Sequence, residues 1–152
     1  MTAVPHPPVM RSVVLPCAPA RAFELFTGRI SEWWPPARRH TGEADSTIVL
    51  SAVGRFYERG RAGAEIELGA VLAWEPPARL VLDWYPGTDR EHPTRVEVRF
   101  TAEGAAATRV SIVHGPTDAS ADLFGARAPR YDASWALVLA ALEGAARALD
   151  NE

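Results

Sequence analysis

The sequence predicts an α+β fold: a curved antiparallel sheet of about six or seven strands around one long C-terminal helix, with two short helices after the first strand. Three observations lead there. Helical spacing near the N-terminus gives way to strict alternation through the middle of the chain, and returns only at the end. The alternating runs follow one another at short distances with Gly or Pro between them, which calls for antiparallel neighbours. The last helix is apolar around more than one side and carries no charge between Asp132 and Glu143, so it needs enclosure rather than a flat surface.

The elements follow in order. Residues 1–9 hold three prolines and read as a flexible tail ahead of one domain over 10–150. A strand is expected at 10–15. Pro19 opens a helix at the position where a missing N–H costs nothing, with Ala22, Phe23, Leu25 and Phe26 on its apolar side and Gly28 at its end. Residues 30–34 form a second short turn stopped by Pro35 and Pro36, and 37–46 read as a polar loop. Short strands at 47–50 and 55–59 flank Gly54. A long strand over 64–74 sets Ile66, Leu68, Ala70, Leu72 and Trp74 on one face, and Leu80, Leu82 and Trp84 line up on the next. After a loop at 85–93, Val96, Val98 and Phe100 alternate with Arg95, Glu97 and Arg99; Val110, Ile112 and His114 repeat the pattern on the following strand. One sheet face is thus buried and the other wet. A loop over 115–129 leads into a helix at 130–149, where Tyr131, Trp135, Val138, Leu142 and Leu149 form a stripe.

Composition excludes several functions. With 47% hydrophobic and 23% charged residues, the 152-residue chain has the make-up of one folded domain. A net charge of −3 offers no basic face for nucleic acid, and all sixteen basic residues are arginines. The lone Cys17 makes no internal disulfide. Neither a signal peptide nor a membrane span is visible, so a soluble cytoplasmic protein is expected. His6, His40, His92 and His114 lie too far apart to suit a metal site, and there is no Gly-rich phosphate loop or nucleophile elbow. No metal and no cofactor are expected.

The chemistry-bearing residues are few. Trp33 and Trp34 point about 100° apart on a helix, so one enters the core and the other a pocket mouth or the surface. Trp74 reads as core, whereas Trp84 and Trp135 suit either core or pocket wall. His114 lies on the inward phase at a strand's end, either satisfied by a backbone carbonyl or facing a ligand as donor or general base. Glu58 shares a face with Phe56; whether that face or the one with Tyr57 points inward stays open over five residues. A buried Glu58 would need a partner such as Arg or Tyr.

Four segments carry a family resemblance: PARAFELFTGRISEWWPP (19–36), GRFYERGRAGAEIELGAVLAWEPPARLVLDW (54–84), TRVEVRFTAEGAAATRVSIVH (94–114) and YDASWALVLAAL (131–142). In this order they resemble the bacterial branch of the activator-of-heat-shock-protein-90-ATPase homologue family, within the START-like (SRPBCC) superfamily. One departure is visible: Ser134 stands where such proteins tend to carry Gly before the helix Trp. The resemblance implies a helix-grip fold and an internal pocket, whose wall is expected to include Trp34, Phe56, Ile66, Leu68, Trp84, Val98, His114, Tyr131, Trp135 and Val138. Three functions follow as expectations. The first is binding of a small apolar or aromatic molecule, to sequester, sense or carry it. The second is a polyketide cyclase or hydratase using His114, with Glu58 or Tyr131 as its acid–base partner. The third is a cochaperone-like module acting on a chaperone ATPase. The expected partner is the small molecule, with a homodimer left open.

Overall fold

The computed structural model describes residues 6–149. Chain order runs β1 (Val9–Leu15), α1 (Pro19–Phe26), α2 (Ile30–Trp33), a 3-10 turn at Pro36–Arg38, β2 (Thr47–Leu50), β3 (Arg55–Arg59), β4 (Glu65–Glu75), β5 (Arg79–Trp84), β6 (Thr94–Ala102), β7 (Thr108–Pro116) and α3 (Ala121–Ala148). All seven strands join one antiparallel sheet in the order β1-β7-β6-β5-β4-β3-β2. The sheet curls around α3 in a helix-grip arrangement. No helix among the described residues is long and apolar enough to cross a membrane.

The core forms where the alternation is cleanest. Val96, Val98 and Phe100 on β6 sit opposite His114, Ile112 and Val110 on β7, and all six are buried. Against this floor α3 lays Tyr131, Trp135, Val138, Leu142 and Ala146. Each fully buried large apolar side chain contributes roughly 1.5–3 kcal/mol. Helix α1 closes the far end, with Phe23 resting 5.1 Å from the Phe100 ring and edge-on to Trp74 at 5.3 Å. On the outer face Arg79 bridges to Glu97 and Glu75, Arg95 to Asp83, and Arg55 to Glu65 and Glu67.

Three expectations are corrected. The final helix begins at Ala121, not at 130, and carries Pro129 in its interior. Proline removes the hydrogen bond to residue 125. The extra turns nonetheless bury Phe124 and Ala128, and Phe124 stacks on Tyr131 at 5.8 Å; tertiary packing outweighs the lost bond. Strand β4 does not keep one phase. Register shifts between Phe56 and Tyr57 and between Val71 and Ala73 flip its faces. Gly69 therefore sits opposite Trp84 and Trp74 opposite Leu80 on the inner side, while Ala70 faces outward with Asp83 and Leu72 is 49% exposed. A Cβ at Gly69 would lie 2.1 Å from the Asp83 carbonyl oxygen, so this bend admits only glycine. The expected tail falls partly on residues 1–5, outside the described residues. Of the remainder, Val9 already pairs with His114 and is buried.

Candidate ligand cavity

Between α3, the β3–β5 part of the sheet and two loops lies a cavity of about 260 Å³. Its apolar wall comes from Trp34, Phe56, Leu68, Trp84, Trp135 and Val138, with Tyr131 and Pro86 beside them. The aromatics support one another: Trp84 lies 5.2 Å from Trp135 and 5.3 Å from Phe56, and Trp34 meets Trp135 edge-on at 6.4 Å. Such ring pairs hold their positions through packing and quadrupole complementarity.

The tryptophan doublet divides because α2 ends at Trp33. Trp33 donates its indole N–H to the Leu25 carbonyl at 2.7 Å and packs inside, whereas Trp34 lines the cavity and donates to the Arg38 carbonyl at 3.3 Å. Both are buried.

The loop over 85–93 is pinned to α3. Tyr131 donates its hydroxyl to the Pro86 carbonyl at 2.8 Å, and Arg127 Nε donates to the Gly87 carbonyl at 2.7 Å. Burial pushes the Tyr131 phenol up. Gly87, at φ +84°, lies so close to that hydroxyl that a Cβ would approach it to 2.6 Å.

Three of the ten expected wall residues lie elsewhere. Ile66, paired with Glu58 near the start of β4, is 38% exposed and outside the lining, whereas Leu68 at the bulge reaches the space. Val98 is fully buried in the packed floor and does not reach the opening. His114 is also sealed within the core, behind Trp135 and Tyr131.

The hydrogen bonds of His114 fix its protonation. Trp135 Nε1 can only donate, and it does so to His114 Nδ1 at 3.0 Å. The ring proton therefore sits on Nε2, which donates to Thr94 Oγ1 at 2.7 Å; that hydroxyl in turn donates to the Trp84 carbonyl at 3.3 Å. Burial drives the His114 pKa down to about 3. Both nitrogens are occupied and the ring stays neutral. This corrects the expected acid–base role: His114 braces two cavity tryptophans from behind.

Glu58 proves to be on the inner face with Phe56, fully buried. Two backbone N–H groups hold it directly, and its charge faces the nearby Arg39 guanidinium, so the expected Arg is present without a direct ion pair. Oε1 accepts the His40 N–H and Oε2 the Thr41 N–H, both at 2.8 Å. Burial pushes its carboxyl up, but bonds from Thr41 and the His40 backbone outweigh this and hold it below the usual range. Glu58 thus anchors the loop that supplies Ala37, Arg38, Arg39 and His40 to the cavity, without lining the cavity itself.

Sequence reasoning missed most of the polar wall: Arg38, Arg39 and His40 from that loop, and Arg127 and Arg130 from α3. One signal was present. Residues 127, 130, 131, 134, 135 and 138 recur at helical spacing on one face, but the expected loop up to residue 129 cut that stripe short. Ser134, the departure from the family pattern, stands in the cavity wall. Among the described residues, no group of three His, Cys, Asp or Glu side chains could hold a metal ion.

The profile described as activator of Hsp90 ATPase homolog 1-like protein matches residues 16–146. The chain belongs to that family. Among solved structures, CalC of Micromonospora echinospora, described as a self-sacrificing resistance protein, is similar at 26% identity and TM-score 0.72, covering 92% of this chain and 94% of that one. Txn09, an anthrahydroquino-gamma-pyrone synthase, is similar at 32% identity and TM-score 0.53, covering 78% of this chain and 82% of that one. An Hsp90 activator from Plasmodium falciparum shares the fold at 15% identity and TM-score 0.52, covering 77% of this chain and 78% of that one. No curated protein matches the sequence significantly.

Proposed function

We propose that this family member binds a small hydrophobic or aromatic molecule in the cavity against α3, sequestering, sensing or carrying it. The observation that carries this reading is a space of about 260 Å³ walled by Trp34, Trp84, Trp135 and Phe56. An apolar cavity of about 150 Å³ already takes benzene, so a fused or substituted ring fits here. The buried polar groups support the same reading. His114 and Glu58 spend their hydrogen bonds on holding the walls, and no carboxylate lines the space.

Native mass spectrometry of freshly purified protein tests this by looking for a co-purified small molecule. A thermal-shift panel of neutral aromatics complements it. A ligand at 100 times its Kd adds about 2.7 kcal/mol, which raises the Tm by on the order of 5–10 °C for a chain of this size. If no co-purified molecule is found and no aromatic stabilises the protein, the reading fails.

A second reading is an enzyme acting on an aromatic polyketide-like substrate. The 32% identity to a pyrone synthase favours it. The imidazole at the cavity is His40, so His40 and the Tyr131 hydroxyl would be its acid–base groups. Conversion of a bound aromatic polyketide, lost in His40→Ala with binding retained, would establish this reading over simple carriage.

A further inference from the structure

Charge is distributed unevenly over this acidic protein. On the outer sheet face arginines are matched by carboxylates, as with Arg79 between Glu75 and Glu97. At the cavity the balance is different. Arg38, Arg39, Arg127 and Arg130 line it with no Asp or Glu among the wall residues. Among the described residues, none of these four guanidiniums has a carboxylate within ion-pair distance.

Two of the four are committed to structure. Arg39 donates to the carbonyls of Ser31, Trp34 and Ser46, and Arg127 to that of Gly87. Arg39 Nε is buried without a hydrogen-bond partner among the described residues. A buried unpaired donor costs roughly 1–3 kcal/mol. Arg38 and Arg130 are exposed at the rim.

Glu58 and Asp45 act on Arg39, but Arg38 and Arg130 stand at the rim with no carboxylate within ion-pair distance among the described residues. Above an aromatic floor, that pair selects for a two-ended ligand. We propose that the molecule bound here is an amphipathic anion, with an aromatic or apolar body against the tryptophans and an acid oxygen group, such as a carboxylate or sulfonate, held by Arg38 and Arg130. The guanidinium fork matches such oxygens in plane and charge. The inference rests on the cavity being a ligand site and adds the chemistry of the ligand's polar end.

The test uses two fluorescent probes with the same N-phenylnaphthylamine body: 8-anilino-1-naphthalenesulfonate, which is anionic, and N-phenyl-1-naphthylamine, which is neutral. Each is titrated into wild type, Arg38→Ala/Arg130→Ala and the exposed control Arg59→Ala, with melting curves to check folding. The double variant is expected to weaken the sulfonate probe about tenfold, from two rim pairs of ordinary strength, while the neutral probe changes less than about twofold and Arg59→Ala changes neither. Equal effects on both probes, or none on the sulfonate, overturn the anion inference and leave the cavity reading standing. If neither probe binds wild type saturably, both fall.

Discussion

Lowering the pH from 7.5 to 5.0 perturbs one buried group above all, the imidazole of His114. Tyr131 lies 4.1 Å from it ring to ring, with Phe124, Trp84 and Trp135 around it and both nitrogens bonded. Its folded pKa of about 3 lies well below the ordinary 6.5, and burial is the cause. The unfolded chain therefore binds the proton that the folded chain refuses. Stability from this group is fully present above pH 6.5 and is lost as the pH falls toward 3. Linkage gives a loss of about 2 kcal/mol at pH 5.0 relative to 7.5, and this figure hardly changes if the folded pKa is one unit higher. For a chain of this size the loss corresponds to a Tm lower by roughly 4–8 °C. Glu58 has its carboxyl pKa lowered, so its contribution is present above the carboxylate range and largely outside this window. Urea unfolding across the range, in wild type and in His114→Asn, measures the effect. The asparagine oxygen can accept from Trp135 in place of Nδ1, and the side chain does not titrate. A wild-type stability flat between pH 7.5 and 5.0, or an identical slope in His114→Asn, would mean that His114 is not the group whose protonation destabilises the fold.

Two substitutions probe the walls. Glu58→Gln leaves one oxygen for two backbone N–H groups and sets an amide NH₂ against the other. It should cost about 1–3 kcal/mol in denaturant unfolding and raise hydrogen exchange at His40 and Thr41 before the rest of the sheet. Ser134→Phe fills the cavity from the helix side. It should keep a native far-UV spectrum while weakening aromatic probes by about tenfold or more, or roughly 1.4 kcal/mol, by fluorescence titration.

Legibility in the sequence tracked regularity of the backbone. On β6 and β7 the alternation of Val96, Val98, Phe100, Val110 and Ile112 maps directly onto the buried face, because no bulge interrupts those strands. On β4 the same reading failed at Ala70 and Leu72, where two register shifts move residues between faces. Nothing local marks these except Gly69, whose absent side chain lets β5 approach. Pro129 misled in the opposite direction: a local breaker was overridden by burial of Phe124, about one and a half turns upstream, and of Ala128 beside it. The apolar wall followed from periodicity, as with Trp135 and Val138, because helix spacing is short-range information. The loop part of the polar wall, Arg38 to His40, depended on where Glu58 anchors residues 40 and 41, a contact across 17 or 18 positions that no periodicity encodes.

Five tryptophans allow a direct test of where a ligand goes. Trp34, Trp84 and Trp135 line the cavity, Trp33 packs away from it on Leu25, and Trp74 lies against Phe23 at the α1 end. Fluorine NMR of protein labelled with 5-fluorotryptophan, titrated with a saturating aromatic probe, reports on all five at once. Movement of the Trp34, Trp84 and Trp135 resonances, with Trp33 and Trp74 unmoved, is the expected result. Saturable shifts at Trp74 with the cavity trio unchanged would contradict it and place the ligand outside the space between α3 and the sheet.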